Sequence, residues 1–204
     1  MKKMKTVFVV DYSTDTPFVT NVVREENEWV VKGEGKATIK FDGTSCLVRG
    51  GKLFKRYDRK LTKEFSKKRR KNPNMVIEEH MLRDAPEGFE PCEPTFDPNT
   101  GHWPGWLEVD LEDPANRWHA EAWSKLDFTP QDGTYELVGP KIGANPEGLD
   151  SHEFWLHGSV VVDVDPDFES LKKWLENNLV EGLVFHHPDG RMAKIRRKDF
   201  GFKW

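Results

Sequence analysis

The sequence predicts an α+β fold built mostly of antiparallel sheets. Short segments of alternating or β-branched residues recur along the 204 residues, and they outnumber the helical patterns. These segments do not alternate regularly with helices, as the strands of a parallel, doubly wound sheet would. We therefore expect mostly antiparallel sheets with helices flanking them.

Each predicted strand combines apolar alternation with β-branched or aromatic residues. The predicted strands cover residues 7–10, 29–31, 37–41, 46–49, 135–138, 160–164, 183–186 and 192–195.

One helix has a clear apolar stripe with a recognisable start. Its apolar residues recur at helical spacing at Phe168, Leu171, Leu175 and Leu179. Asp165 is placed as the N-cap, and Pro166 would occupy the first helical position. The sequence therefore predicts a helix that begins after Asp165.

Charge is distributed very unevenly along the chain. The net charge is −4, yet residues 55–71 contain ten Lys/Arg and two acids, whereas residues 78–121 contain twelve acids and two Arg. Residues 58–71 have a helix-forming composition with little apolar stripe, which fits either a solvated helix or a mobile basic segment. Residues 84–133 are rich in Pro, Gly, Trp and acids, and we expect them to form an irregular insertion.

Length and composition indicate one intracellular domain. A chain of 204 residues can bury a sizeable core, and residues 1–204 are interpreted as one domain. The only cysteines, Cys46 and Cys92, are too few for a disulfide framework, which suits the cytoplasm or another reducing compartment. No segment is long and apolar enough to suggest a signal peptide or membrane span, so no membrane partner is expected.

Lys40 lies on a strand with one apolar face. In the predicted strand 37–41, Ala37, Ile39 and Phe41 alternate with polar residues, so Lys40 points away from the apolar face. Gly43 follows and permits a close approach between the backbone and a ligand. A lysine in this position is usually only solvated, so the strand by itself does not predict chemistry.

A second group of charges is expected near the end of the chain. The turn residues 188–190 separate two strand-like segments and predict a β-hairpin. Lys194 and Arg196 then share one face, and antiparallel pairing places Glu181 roughly opposite Arg196. This arrangement fits a phosphate or metal site as well as it fits a surface salt bridge.

Four motifs in order resemble those of the polynucleotide ligase and mRNA capping enzyme superfamily. They are Lys40-Phe41-Asp42-Gly43, Tyr135-Glu136-Leu137-Val138-Gly139, Glu181-Gly182-Leu183-Val184 and Lys194-Ile195-Arg196. Arg56 stands where such ligases often carry an arginine after the nucleophilic lysine. The longer segments 135–148 and 182–201 resemble more narrowly the 5′-to-3′ RNA ligases of vertebrates and some viruses, and a viral source is compatible with this resemblance. It implies a nucleotidyltransferase (ligase adenylation) domain, and we expect no OB-fold domain in this chain.

The resemblance implies a three-step reaction that consumes ATP. A lysine takes AMP from ATP and passes it to a 5′-phosphate RNA end, and a 3′-hydroxyl RNA end then displaces the AMP. Lys40 would be the nucleophile, and Glu181 would position Mg²⁺, for which Mn²⁺ can substitute. The expected ATP-binding residues are Thr38, Ile39, Lys40, Asp42, Gly43, Arg56, Glu136, Phe154, Lys194 and Arg196. Within this set, Thr38 and Ile39 would contact the adenine edge, and an aromatic or aliphatic side chain near Phe154 would stack on the base.

The basic segment and two histidines complete the set of candidate residues. The run Lys67, Lys68, Arg69, Arg70 and Lys71 is a candidate nucleic-acid contact, with a solvated charged face as the alternative. His152 and His157 flank Phe154 and Trp155, and their spacing favours structural roles over metal binding.

Three alternatives to an ATP-dependent RNA ligase remain open at this stage. A DNA or RNA/DNA nick ligase would use the same AMP chemistry on other ends. A capping-type guanylyltransferase would take GTP instead of ATP. A non-catalytic RNA-binding module would retain the fold without the reaction, although Lys40, Glu136, Glu181 and Lys194 are all residue types that the reaction requires.

Overall fold

Two β-sheets hold most of the strands in the computed structural model, which describes residues 3–13 and 15–203. The strands are β1 (Lys5–Thr6), β2 (Phe8–Asp11), β3 (Phe18–Val23), β4 (Lys36–Lys40), β5 (Thr44–Arg49), β6 (Lys52–Arg59), β7 (Glu90–Pro91), β8 (Trp103–Glu108), β9 (Gly133–Val138), β10 (Glu153–Leu156), β11 (Val161–Val162), β12 (Gly182–His186) and β13 (Met192–Arg196). The α-helices are α1 (Glu28–Val31), α2 (Lys63–Lys71), α3 (Arg117–Ser124) and α4 (Phe168–Asn177), and short 3₁₀ helices cover Glu25–Asn27, Glu79–Met81, Pro114–Asn116 and Arg197–Phe200.

The first sheet has the strand order β1-β13-β12-β4-β11, and its only parallel pair among the described residues is β1–β13. One of its faces is apolar and packs against α1, α4 and the β2–β3 pair. Leu171, Leu175, Leu183 and Ile195 are fully buried in this first core. The opposite face of the sheet carries Lys40.

The second sheet is antiparallel and has the order β10-β9-β5-β6-β8-β7. One face packs against α3 to form a second core, in which Cys46 and Leu137 are fully buried. Burial also raises the pKa of the Cys46 thiol, so this cysteine stays a protonated core residue. Segment 84–133, expected to be irregular, supplies β7, β8 and α3, and β8 lies within the sheet between β6 and β7.

The observed sheets confirm the predicted α+β class with mostly antiparallel pairing. A strand occurs in every predicted strand segment except residues 29–31, although segment 160–164 contains only the two-residue strand β11. Residues 29–31 lie in helix α1, where Trp29 and Val30 are buried in the first core. The strand prediction was wrong there because a short apolar run carries no periodicity that separates a strand from a buried helical turn.

The predicted helix forms, but it begins two residues later than expected. Its N-cap is Asp167, whose carboxylate accepts hydrogen bonds from the backbone N–H groups of Glu169 and Ser170, both at 3.0 Å. The prediction of Asp165 as the N-cap was therefore wrong, because Pro166 precedes the cap instead of starting the helix. Leu179 lies beyond the end of α4 and is exposed, so only the first three residues of the expected apolar stripe belong to the helix.

The basic segment contains a helix, α2. Its N-cap is Thr62, whose hydroxyl accepts a hydrogen bond from the backbone N–H of Phe65 at 3.4 Å. Phe65 packs against a small third core that includes Leu61 and Leu82. These contacts favour the solvated helix over the mobile segment.

Among the described residues, no helix is both long enough and apolar enough to span a membrane.

Candidate functional site

Lys40 lies at the carboxyl end of β4 and forms an ion pair with Glu181. Its amine donates a hydrogen bond to a carboxylate oxygen of Glu181, and a second one to the backbone carbonyl of Phe41 at 3.4 Å. The Lys40 side chain is 19% exposed and that of Glu181 is 14% exposed. Both charges are therefore largely withdrawn from water while remaining accessible to a ligand.

The register of the first sheet places four of the predicted residues on one face. Thr38 and Lys194 both lie opposite Val184, and Lys40 and Arg196 both lie opposite Gly182. Because directly paired residues point to the same face, Thr38, Lys40, Lys194 and Arg196 project together.

Gly182 provides the gap between the side chains of Lys40 and Arg196. A Cβ atom at this position would lie only 2.7 Å from the Cα atom of Arg196 and closer still to the Ile195 carbonyl. Because Gly182 pairs with Arg196, Glu181 instead accepts a backbone hydrogen bond from Arg197 at 3.0 Å. Glu181 therefore lies one residue from direct pairing with Arg196, close to the expected position.

Lys194 is a partly buried cation with other cations nearby. Burial is the main cause that lowers its pKa to about 8, and the positive charges of Arg196 and Lys40 lower it further. Asp199 holds the Arg196 guanidinium with two hydrogen bonds, at 3.1 Å from Nε and 2.6 Å from Nη2. The first sheet thus presents fixed positive charge beside the Lys40–Glu181 pair.

The second sheet forms the opposing wall of the site. Glu136 lies between Trp155 on β10 and Ser45 on β5, in one cross-strand row. On the next strand Arg56 is opposite Trp106, and its guanidinium lies 5.6 Å from the Trp106 ring centroid. Strands β5 and β6 are antiparallel, and Cys46 pairs with Lys55. The next pair in this register is Ser45 with Arg56, so Arg56 extends the row of Glu136 and Ser45. Glu136 and Arg56, two of the predicted residues on this sheet, therefore share a face.

Close contacts join the two walls at the base of the site. The Phe41 and Trp155 rings meet edge to face, with their centroids 5.0 Å apart. A Cβ atom at Gly43 would lie 2.8 Å from Cγ of Glu136, so only glycine permits this approach of the chain to β9. The loop after Lys40 thus packs Gly43 directly against Glu136.

Two histidines form hydrogen bonds with polar residues of the site, one on each wall. His157 Nε2 lies 2.7 Å from a carboxylate oxygen of Glu136, which is itself buried. His186 Nε2 lies 2.9 Å from the Thr38 hydroxyl, which also donates to the Val184 carbonyl at 3.3 Å. Burial, followed by the charge of nearby His157, lowers the pKa of His186 and keeps this ring neutral at pH 7.

Asp42 shapes the loop beside the nucleophile candidate. Its carboxylate accepts a hydrogen bond from the backbone N–H of Ala144 at 2.8 Å. Gly143 has a φ of +58° and packs against Asp42, where a Cβ atom would lie 2.7 Å from the Asp42 carbonyl. Asp42 thus ties the segment after β9 to the end of β4.

Two residues expected at the adenine point away from the site. Ile39 packs against the first core on the face of β4 opposite Lys40. Phe154 packs in the second core, with its ring centroid 6.2 Å from that of Trp123. The alternation of β10 places Trp155, the residue next to Phe154, on the face of Glu136 instead.

The predicted nucleic-acid residues lie on helix α2. Lys67, Lys68, Arg70 and Lys71 are exposed. Arg69 instead donates hydrogen bonds to the backbone carbonyls of Met75 and Asn99, the latter at 3.1 Å. Four of the five cations are thus exposed, although Lys68 is paired with Glu64 at 2.5 Å, and Arg69 stabilises the loop that follows the helix.

The fold brings five further residues to the site that were not predicted to lie there: Ser45, Trp155, His157, His186 and Asp199. Strand alternation relative to Glu136 could have identified Trp155, and the i,i+3 spacing could have linked Asp199 to Arg196. His157 had been interpreted as structural, and its pairing with Glu136 depends on a tertiary contact. The Ser45 hydroxyl is buried and has no hydrogen-bond partner among the described residues.

A pocket of about 330 Å³ lies beside the Lys40–Glu181 pair and includes the carboxylates of Asp42 and Glu181. No cluster of three or more His, Cys, Asp and Glu suited to a metal ion occurs within residues 3–13 and 15–203. Mg²⁺ commonly uses one or two carboxylates, with phosphates and water as its other ligands. These two carboxylates therefore suit Mg²⁺ that arrives with a phosphate substrate.

Similarity to known proteins covers the segments that carry this site. Residues 124–204 match the sequence model of the family described as RNA ligase 1. RNA ligase 1 of Danio rerio is 29% identical over 222 residues, which covers 82% of this chain and 68% of that protein. RNA ligase 1 of Pongo abelii is 30% identical over 221 residues, which covers 82% of this chain and 67% of that protein. The chain belongs to the RNA ligase 1 family.

Proposed function

We propose that this protein is an ATP-dependent RNA ligase that joins 5′-phosphate and 3′-hydroxyl ends through a lysyl-AMP at Lys40. The observation that carries the proposal is the Lys40–Glu181 pair, which is set among Lys194, Arg196 and Glu136. The relatives are RNA ligases by name, which supports RNA as the substrate. The site residues support covalent nucleotidyl transfer as the chemistry.

In the first step, the Lys40 amine loses a proton and attacks the α-phosphorus of ATP. A P–N bond forms, the P–O bond to pyrophosphate breaks, and pyrophosphate leaves with the bonding electrons. Glu181 already accepts a hydrogen bond from this amine, so it provides an acceptor for the departing proton. Lys194 and Arg196 stabilise the negative charge that develops on the α-phosphate.

In the second step, a 5′-phosphate oxygen of the RNA attacks the same phosphorus. The P–N bond breaks, AMP is transferred to the RNA end, and the Lys40 amine regains a proton. In the third step, a 3′-hydroxyl attacks the 5′-phosphate, the new phosphodiester forms, and AMP leaves. The hydroxyl proton passes to solvent or to a base at the site.

The remaining site residues bind and orient the nucleotide. Glu136, held by His157, accepts hydrogen bonds from ribose hydroxyls, and Arg56 is a phosphate or ribose ligand on the same face. Trp155 provides an aromatic surface in the row of Glu136. When bound by Glu181 and Asp42, Mg²⁺ supplies positive charge that neutralises the triphosphate.

The proposal is tested with purified protein, Mg²⁺ and ATP or GTP labelled at the α-phosphate. Label from ATP at Lys40, followed by joining of 5′-phosphate and 3′-hydroxyl RNA ends, is the expected result. Lys40→Ala removes the label, whereas Lys52→Ala, a change at an exposed lysine of β6, retains it. Label from GTP alone indicates capping-type chemistry, joining of DNA ends alone indicates a DNA ligase, and absence of label from protein that carries no prior adduct contradicts the proposal.

A further inference from the structure

The pocket beside the Lys40–Glu181 pair combines charged side chains with an aromatic ring. It is lined by Asp42, Glu181, Arg197, Lys198, Phe202 and Lys203. We propose that this pocket binds the 5′-phosphorylated terminal nucleotide of the RNA, and this inference rests on the proposed function. Lys198 and Lys203 bind the 5′-phosphate, and Phe202 stacks on the base.

Cationic side chains outnumber the unpaired carboxylates of the pocket, so it is positive toward an incoming ligand. Glu181 is neutralised by the Lys40 amine, and Asp42 accepts the backbone N–H of Ala144. Both lysines of the pocket are exposed, and neither amine has an ion-pair partner within the described residues. A terminal phosphate monoester carries nearly two negative charges at neutral pH, so it is the group these two cations attract most strongly.

Arg197 fixes the wall of the pocket and leaves ligand binding to the lysines. Its guanidinium donates to the carbonyls of Leu175 and of Asn178, the latter at 2.9 Å, at the end of helix α4. It also donates to the Lys203 carbonyl at 3.1 Å. Residues 197–203 are therefore anchored to α4, and the pocket is formed before a ligand arrives.

Phe202 distinguishes a nucleotide from a phosphate without a base. Its ring is partly exposed, and the Arg197 guanidinium lies 5.6 Å from the ring centroid. Aromatic rings of this kind provide stacking surfaces for the bases of single-stranded RNA. Pyrophosphate, the other phosphate compound of the reaction, gains nothing from such a ring, so the lining favours the RNA end.

Binding of the RNA end is measured directly, so the test does not depend on catalysis. Labelled RNA oligonucleotides with a 5′-phosphate or a 5′-hydroxyl are titrated into wild-type protein, the Lys198→Ala/Lys203→Ala double variant and Lys172→Ala. Lys172 is an exposed lysine on α4 and serves as the matched control. Wild type and the control should bind the 5′-phosphate RNA about tenfold more tightly than the 5′-hydroxyl RNA. The double variant should lose this preference, and its affinity for RNA should depend less on salt concentration.

Phe202→Leu tests the stacking contact separately. This variant should weaken binding of ordinary 5′-phosphate RNA but have no effect on RNA whose first nucleotide lacks its base. Far-ultraviolet circular dichroism checks that each variant is folded. The proposal is overturned if the double variant still prefers 5′-phosphate RNA. It is also overturned if Phe202→Leu loses the same affinity for ordinary RNA as for RNA whose first nucleotide lacks its base.

Adenylylation separates this proposal from the proposed function and from pyrophosphate binding. The double variant should form lysyl-AMP from ATP at the wild-type rate, but it should transfer AMP to RNA with a KM raised about tenfold. Slower adenylylation with an unchanged KM for RNA would assign the pocket to pyrophosphate and overturn the inference. Wild-type protein that binds the 5′-phosphate through these lysines but never adenylylates would contradict the proposed function alone.

Discussion

The amine of Lys40 and the carboxylate of Glu181 form an ion pair although 141 residues separate them in sequence. Antiparallel pairing of β4 with β12 brings them together, because Lys40 lies opposite Gly182. Both side chains are largely buried, so each is the main neutralising partner that the fold provides for the other. The pair combines a nucleophile candidate with a carboxylate that can accept its proton or bind a metal ion.

Replacing Glu181 with Gln should reduce lysyl-AMP formation by about 100-fold or more, because the amine loses its proton acceptor. The matched control is Glu176→Gln, a change at an exposed carboxylate on α4 that should leave the rate unchanged. Single-turnover labelling with α-labelled ATP measures both rates. A Glu181→Gln variant that is labelled at the wild-type rate would exclude a role for this carboxylate in the chemistry.

His157 is expected to position Glu136 for nucleotide binding, since its Nε2 atom lies 2.7 Å from the carboxylate. His157→Ala removes a hydrogen bond to a charged group, and it should raise the KM for ATP about tenfold or more, with a smaller effect on kcat.

His157→Gln retains a side-chain N–H donor and should restore part of the affinity. The control His80→Ala changes an exposed histidine and should have no effect. If kcat and thermal stability both fall while the KM for ATP is unchanged, His157 only supports the fold.

Nucleotide affinity should depend on pH through Lys194. Burial and neighbouring cations lower its pKa to about 8, so it is charged below that pH and loses its charge as the pH rises through it. ATP should therefore bind more weakly above about pH 8, by up to about tenfold per pH unit if only the charged form binds.

The measurement is ATP titration of a Lys40→Arg background from roughly pH 7 to 9.5, which avoids the covalent step and keeps the charge at position 40. Adding Lys194→Arg should flatten the profile, because arginine stays protonated throughout this range. An unchanged profile in Lys194→Arg would assign the pH dependence to another group.

The cap of helix α4 gives a test of the fold that is independent of catalysis. Asp167→Ala removes two hydrogen bonds to the first turn and should lower the free energy of unfolding, because two backbone N–H groups lose their acceptor. Asp165→Ala is the matched control and should change stability little, because Asp165 is not the cap. Urea denaturation followed by circular dichroism measures both, and a larger loss in Asp165→Ala would contradict the observed helix start.

Features that depend on local pattern were accessible from the sequence. The β12–β13 hairpin follows from turn residues between two strand-like segments, and it carries Lys194 and Arg196 on one face as predicted. The stripe containing Leu171 and Leu175 correctly located helix α4. Such features are accessible because periodicity and turn chemistry act within a few residues.

Features that depend on register or tertiary contact were not accessible. The sequence placed Glu181 only roughly opposite Arg196, and it did not distinguish Phe154 from Trp155, which lies on the face of Glu136. In a strand, a shift of one residue moves a side chain to the opposite face. The pairing of His157 with Glu136 joins residues from different strands, and no local signal specifies it.

The most direct test of lysyl-AMP formation at Lys40 is the intact mass of the protein before and after incubation with ATP and Mg²⁺, followed by peptide mapping. We expect the mass to increase by one AMP, or the untreated protein to carry that adduct already, with the modification on the peptide that contains Lys40. The adduct should disappear when RNA with a 5′-phosphate is added. An adduct on another lysine, or adenylylation that persists in a folded Lys40→Ala variant, would contradict Lys40 as the nucleophile.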